Sequence, residues 1–242
     1  MSIEEYIEAQ RANLKSIIHL PEFSLLVRLV DQIYGHSTEI IPPDSSPRFG
    51  RFLLLGHKFF LSSAILIAQA QPDDAAPITR RAVEMARVCY ASKFNKENLA
   101  KWQSYENRQA RWDARLKGDK PPYLPPIKYD LPVEHPILDE LNQELGILSD
   151  SYVHFTPEYF ASLNWKDDLE SEPPTVHLSY FISEQRVLER EFILLTGSHA
   201  KIISLIDECI DHALSSKESW KKLMVTLYEE GKKLGAKFKV GD

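Results

Sequence analysis

The chain has 242 residues, 43% of them hydrophobic and 26% charged, with a net charge of −6 at pH 7. These are ordinary globular values for a chain long enough to bury a sizeable core. They exclude a global attraction to nucleic acid or anionic lipid, so any such site has to be local. The two cysteines, Cys89 and Cys209, lie in apolar helical patterns without CxxC spacing. They read as buried reduced thiols, and the chain as a cytoplasmic protein. The acidic, amphipathic start "MSIEEYIEAQ" is the opposite of a signal peptide.

Nine glycines in 242 residues and long 3.6-residue periodicities predict an all-α, multi-helix bundle of about eight helices. Residues 3–20 form a first helix stopped by Pro21, and 22–36 a second. Residues 37–50, rich in proline and serine, form a loop. The third helix, 50–70, approaches transmembrane length, but His57 and Lys58 interrupt it. It reads as a central core helix enclosed on most sides, with Arg51, Lys58, Ser62 and Gln69 on one narrow stripe, and no membrane partner is expected. Asp74 caps a fourth helix, 74–94, whose core stripe is Ile78, Ala82, Met85, Ala86 and Cys89, with Pro77 in its first turn.

Asn95 caps a fifth helix, 96–117. Residues 118–136, with six prolines, form an extended excursion. A sixth helix, 136–154, carries Leu138, Leu141, Leu145, Leu148 and Tyr152. In "SDSYVHFTPEYF" it stops and the next begins: Thr156 is a good N-cap and Pro157 a good first residue. That leaves His154 at a helix C-terminus, where the dipole favours its protonated form. The acidic stretch 164–176 is a linker between a core, 1–163, and a C-terminal helical hairpin, 177–242, packed on it. The hairpin comprises helices over 183–214 and 216–236. "TVHLSYFI" has strand character, but a lone strand has no partner here.

Phosphate-binding glycine loops, HExxH, GxSxG and paired CxxC motifs are absent, and no cofactor or metal site is expected. Five weaker constellations remain. In "ITRRAVEMAR", Arg80, Glu84 and Arg87 share one helix face. They either line an anion-binding groove or form an ion-pair network that orients helices. His154 is either a general acid/base or a capping residue. Arg51 and His57 lie about 120° apart on a regular helix. They converge only if Arg51 sits in a frayed first turn or across a dimer interface. On the fifth helix, Trp102, Tyr105 and Trp112 run beside Lys101, Arg108, Arg111 and Arg115. Residues 93–120 hold eight basic and four acidic side chains. This is either a single-stranded nucleic-acid patch or an amphipathic helix with its aromatics inside. Glu208 and His212, four apart, would need further ligands to hold a metal and read as a solvated helical face.

An apolar helix, then "RRAVE" with Arg80 and Glu84, a tryptophan-bearing helix, and "LSDSYVH" ending in His154 together resemble bacterial all-helical domains of unknown function. Those domains are similar to the HEPN bundles of abortive-infection and toxin systems. The likeness covers about residues 50–160. It implies a four- or five-helix core, frequent dimerisation, and a link to nucleotide binding or metal-independent RNA cleavage. The signature of the active ribonucleases is an arginine followed by a histidine, and Arg51 and His57 match its spacing. The family carries a polar residue directly after the arginine, where this chain has Phe52. Other members lack the signature and act as binding or scaffold modules.

Two functions are thus expected. One is a HEPN-like module whose groove, built from Arg80, Glu84, Arg87 and His154, holds a nucleotide or RNA phosphate; if it cleaves, His154 or His57 is the acid/base and an arginine such as Arg51 stabilises the phosphorane charge. The other is a non-catalytic homodimeric scaffold whose Arg–Glu–His cluster is structural.

Overall fold

Helices with one apolar stripe are stable only against other such stripes, and a helix apolar on several sides must be enclosed. In a computed structural model of the chain, residues 2–42, 47–97, 100, 105–121, 131–152, 165–168, 175–178, 181–182 and 184–239 are described. Among them lie eight long helices: α1 (Ile3–Ile17), α2 (Pro21–Ile40), α3 (Pro47–Ala68), α4 (Pro72–Phe94), α5 (Tyr105–Lys117), α6 (Pro136–Tyr152), α7 (Gln185–Cys209) and α8 (Glu218–Lys239). The all-α, multi-helix reading holds.

The enclosed helix is α7. Ile202, Ile203, Leu205 and Ile206 have no exposed surface. α7 packs against α2, α3, α4, α6 and α8, so the C-terminal part of the chain supplies the middle of the core. α4 contributes Ala82, Met85, Ala86 and Cys89, four of the five residues expected on its stripe, while Ile78 is half-buried. The Cys89 and Cys209 sulfurs meet at 3.9 Å across the α4–α7 seam as buried thiols.

Several expectations are corrected. α2 runs on to Ile40 instead of ending at residue 36. Its polar end stays helical because the Ser37 hydroxyl donates to the Ile33 carbonyl (2.6 Å) and accepts from the buried Trp220 indole of α8 (2.9 Å). α4 begins at Pro72, so Asp73 and Asp74 lie inside its first turn, at the positive end of the dipole, and Asp74 is not the cap. The strand Thr175–Leu178 does have a partner. It pairs antiparallel with Trp165–Asp168 from the expected linker, with Trp165 opposite Leu178. Finally, α3 is less enclosed than its composition suggests. Phe49–Ala68 is long and apolar enough to cross a membrane, with a mean hydropathy of 1.5, yet only 44% of that window is buried. Leu54 and Ile65 are 60% and 49% exposed.

α7 ends at Cys209, short of the expected residue 214, because Asp211 and His212 take left-handed backbone angles (φ 53° and 61°). That conformation disfavours ordinary side chains. The buried carboxylate of Asp207 compensates by accepting the backbone N–H groups of Leu214 (2.7 Å) and Ser215 (3.2 Å). Replacing Asp207 by alanine leaves both donors without a partner and is expected to cost about 2–3 kcal/mol. Asp207→Asn, which keeps an acceptor oxygen, is expected to cost less. Urea unfolding followed by circular dichroism measures both, and equal losses would show that the carbonyl-type acceptor is not what matters.

Candidate functional site

α4 is flanked by α3 on one side and α6 on another. Its charged stripe faces α6. The Arg80 guanidinium donates from Nη2 to Glu84 (3.0 Å) and from Nε to the Ser149 hydroxyl (3.0 Å), which in turn donates to the Leu145 carbonyl (2.6 Å). Arg80 is 28% and Glu84 44% exposed, so the pair borders solvent. Arg87, almost two turns beyond Arg80, differs. Its Nε is buried with no hydrogen-bond partner. Burial weakens the hold of its guanidinium on the proton, against the opposing field of Glu84. A buried cationic donor without an acceptor is costly, and an anion reaching Arg87 would supply one. The structure therefore brings Arg80, Glu84 and Arg87 to one face, beside Ser149. His154 lies outside the described residues.

Beside this stripe a cleft of about 260 Å³ opens between α4, α6 and α7, lined in part by Ala76, Thr79, Ile147, Leu148 and Leu194. Glu144 on its wall accepts from Ser198 (2.7 Å) and Lys201 (2.6 Å), and Lys201 also reaches Glu140 (2.8 Å). Glu191 lines the cleft, and burial raises its carboxyl against the pull of Arg190. Asp73 is pushed up to about 6, first by burial and then by the charges of Asp74 and Glu191.

His57 sits on the α3 side. Gly56 is buried there; a Cβ on it would come within 3.0 Å of the Tyr34 hydroxyl and 3.4 Å of Met85. His57 Nε2 is 2.7 Å from the Asp31 carboxylate, and its ring stacks on Tyr34 with centroids 5.1 Å apart. The buried Tyr34 hydroxyl meets Nδ1 of the fully buried His199 at 2.7 Å, leaving His199 Nε2 with no partner. Burial, and secondarily the field of His57, lowers His199 to about 3, so its ring is neutral at ordinary pH. Burial likewise pushes the Tyr34 phenol up. α3 is unbroken from Pro47 through Ala68, so Arg51 is not in a frayed turn. It is exposed, and within one chain it stays about 120° from His57. The partner that the helix bundle gives His57 is Asp31.

The basic helix behaves differently from an amphipathic core helix. Trp112 and Leu116 on α5 are 59% and 70% exposed. Arg108 and Arg115 are exposed and Arg111 is half-buried. Trp102 lies outside the described residues. Glu208 and His212 do not converge. Glu208 accepts from Tyr90 (3.1 Å) and pairs with His135 (3.0 Å), while the ring of His212 is 3.6 Å from Asp207. The Leu138 N–H donates to His135 Nδ1 (3.3 Å), which places the His135 proton on Nε2, facing Glu208. Among the described residues no group of three or more histidine, cysteine or acidic side chains could hold a metal.

Sequence reasoning missed Asp31, Tyr34 and His199. The only signal for His199 was a histidine inside the apolar run "LLTGSHAKIISLI", which does not point to a tyrosine 165 residues away. No protein-family model, no curated protein and no solved structure matches the chain.

The raised Asp73 carboxyl has a consequence for stability. The folded state binds this proton more tightly than the unfolded chain does. Its contribution is therefore full below the ordinary value of 3.8 and is lost as pH rises through about 6. Asp73→Asn is expected to raise the melting temperature at pH 8 and to leave it nearly unchanged at pH 4. A gain of equal size at both pH values would place its origin elsewhere.

Proposed function

We propose that this chain is a helical-bundle module that binds a phosphate-bearing ligand, a nucleotide or RNA phosphate, in the groove between α4 and α6. The observation that carries the reading is Arg87, whose buried guanidinium Nε has no acceptor. Arg80 stands on the same face, held in place by Glu84 and Ser149. In this reading Glu84 and Ser149 fix Arg80 before the ligand arrives, which reduces the entropy lost on binding. Arg87 then supplies the charge-assisted hydrogen bond to the phosphate oxygen. The resemblance to HEPN bundles supports the choice of nucleotide or RNA over other anions. The exposed Trp112 with Arg108 and Arg115 on α5 forms a separate aromatic and basic face that suits single-stranded RNA.

Cleavage would need a proton-transfer group, and His57 is the described histidine best equipped for it. Asp31 holds the ring at 2.7 Å, and the ring is partly exposed. However, α4 turns Met85 toward Gly56 on α3 and Arg80 toward Ser149 on α6. His57 and the arginines thus lie on different sides of α4, and the reading is binding rather than catalysis. The second reading, a homodimeric scaffold, draws on Arg80, whose bonds to Glu84 and Ser149 are both internal.

Fluorescence anisotropy with labelled single-stranded RNA and with a fluorescent nucleotide, at low salt, tests the proposal. Arg87→Ala is expected to weaken binding about 10- to 100-fold, the size of one charged hydrogen bond. Arg81→Ala, on an exposed position of the same helix, is expected to change it little. Equal binding by both variants, or no binding by the wild type, would favour the scaffold. RNA incubated with wild type and His57→Ala is expected to remain intact in both.

A further inference from the structure

The outer faces of α1 and α3 carry a run of exposed apolar side chains that, among the described residues, borders only the edge of α2. On α3, Leu54, Leu61 and Ile65 share one face with Arg51 and Lys58, and all five are exposed. On α1, Ile3 and Ile7 are 64% and 40% exposed and align with Leu14 and, just past the helix end, Ile18. A groove of about 210 Å³ joins the two faces, lined by Leu14, Ile18, Leu61 and Ile65 together with Arg28 of α2. A single apolar seam therefore runs from Ile3 across this groove to Leu54.

Charge along the seam is polarised. The α1 end carries exposed Glu4, Glu5 and Glu8. Arg11 and Lys15 follow in its second half, and the far end carries Arg51, Lys58 and, at the groove, Arg28. The acid beside that basic end, Asp31, is engaged by His57. A seam acidic at one end and basic at the other matches itself when rotated by half a turn about its middle. This is the condition for an isologous two-fold contact. A basic rim without an acidic counterpart would repel its own copy, and an acidic one would do the same.

We propose that this seam is the interface of a two-fold homodimer, with the acidic half of α1 from each protomer lying on the Arg51–Lys58 end of α3 in the other. The apolar residues supply the association energy, and the polarised charge sets the register and opposes the parallel arrangement. The contact uses none of the groove arginines, so its failure and the failure of phosphate binding are separate results.

Light scattering coupled to size exclusion, with sedimentation equilibrium for affinity, tests this on the full chain. The wild type is expected to run at twice the chain mass of 27.8 kDa. The double variant Leu61→Asp, Ile65→Asp is expected to be a folded monomer, since both side chains already border solvent. Lys58→Glu is expected to weaken the dimer about tenfold, and adding Glu8→Lys to restore it. The charge pair leaves the apolar groove intact and so reads the interface even if the double variant misfolds. A wild type that stays monomeric at high concentration overturns the proposal, and binding of that monomer to anionic lipid vesicles would name a membrane as the occupant. Wild-type dimerisation by the Leu61→Asp, Ile65→Asp protein also overturns it. A Lys58→Glu dimer that Glu8→Lys does not rescue overturns the antiparallel register.

Discussion

Burial of α7 is the constraint from which the rest of the molecule follows. A helix with four isoleucine and leucine side chains wholly out of water within about one and a half turns needs neighbours on nearly every side. Each fully buried aliphatic side chain contributes about 1.5–3 kcal/mol, and the surrounding helices are held at the distances that this packing sets. Polar groups on the same helix have to be answered inside the core. Thr196 donates to the Phe192 carbonyl, Ser198 to Glu144, and Asp207 caps the turn that follows. His199 is answered on one side only, by Tyr34.

This arrangement separates two polar centres that a linear reading would merge. Around α4, the methionine side builds the apolar wall under Tyr34 and His57, and the arginine side faces α6. The first centre is anchored by aromatic stacking and a neutral buried imidazole. The second is anchored by an ion pair and a hydroxyl, with one guanidinium nitrogen left unmatched. Each centre leaves one buried nitrogen unmatched, His199 Nε2 in the first and Arg87 Nε in the second, and of these two only the arginine is cationic.

Much of the architecture was legible in the sequence because it rests on local periodicity. Leu138 and Leu141 on α6 and Ala82, Ala86 and Cys89 on α4 are buried as their spacing predicts. What periodicity cannot report is whether another element covers a given face. The apolar composition of α3 suggested enclosure, yet Leu54 and Ile65 face outward. The end of α2 was misread because Ser37 and Thr38 resemble a loop, while the indole that keeps Ser37 in the helix comes from residue 220. Arg80, Glu84 and Arg87 were placed on one face because helical spacing alone does so. The Asp31–His57 and Tyr34–His199 pairs were not, since each joins residues on separate helices.

The two sulfurs facing each other across the α4–α7 seam at 3.9 Å give the core an intrinsic spectroscopic gauge. Thiol S–H stretching falls in an infrared window where the other groups of a protein are silent, and its frequency follows the strength of the contact the proton makes. Both thiols are buried in the core cluster, so bulk solvent exchange contributes little to the band. α4 carries the arginine stripe and α7 the centre of the core. A shift of that band would therefore report, without any label, displacement of α4 against the helix that anchors the fold.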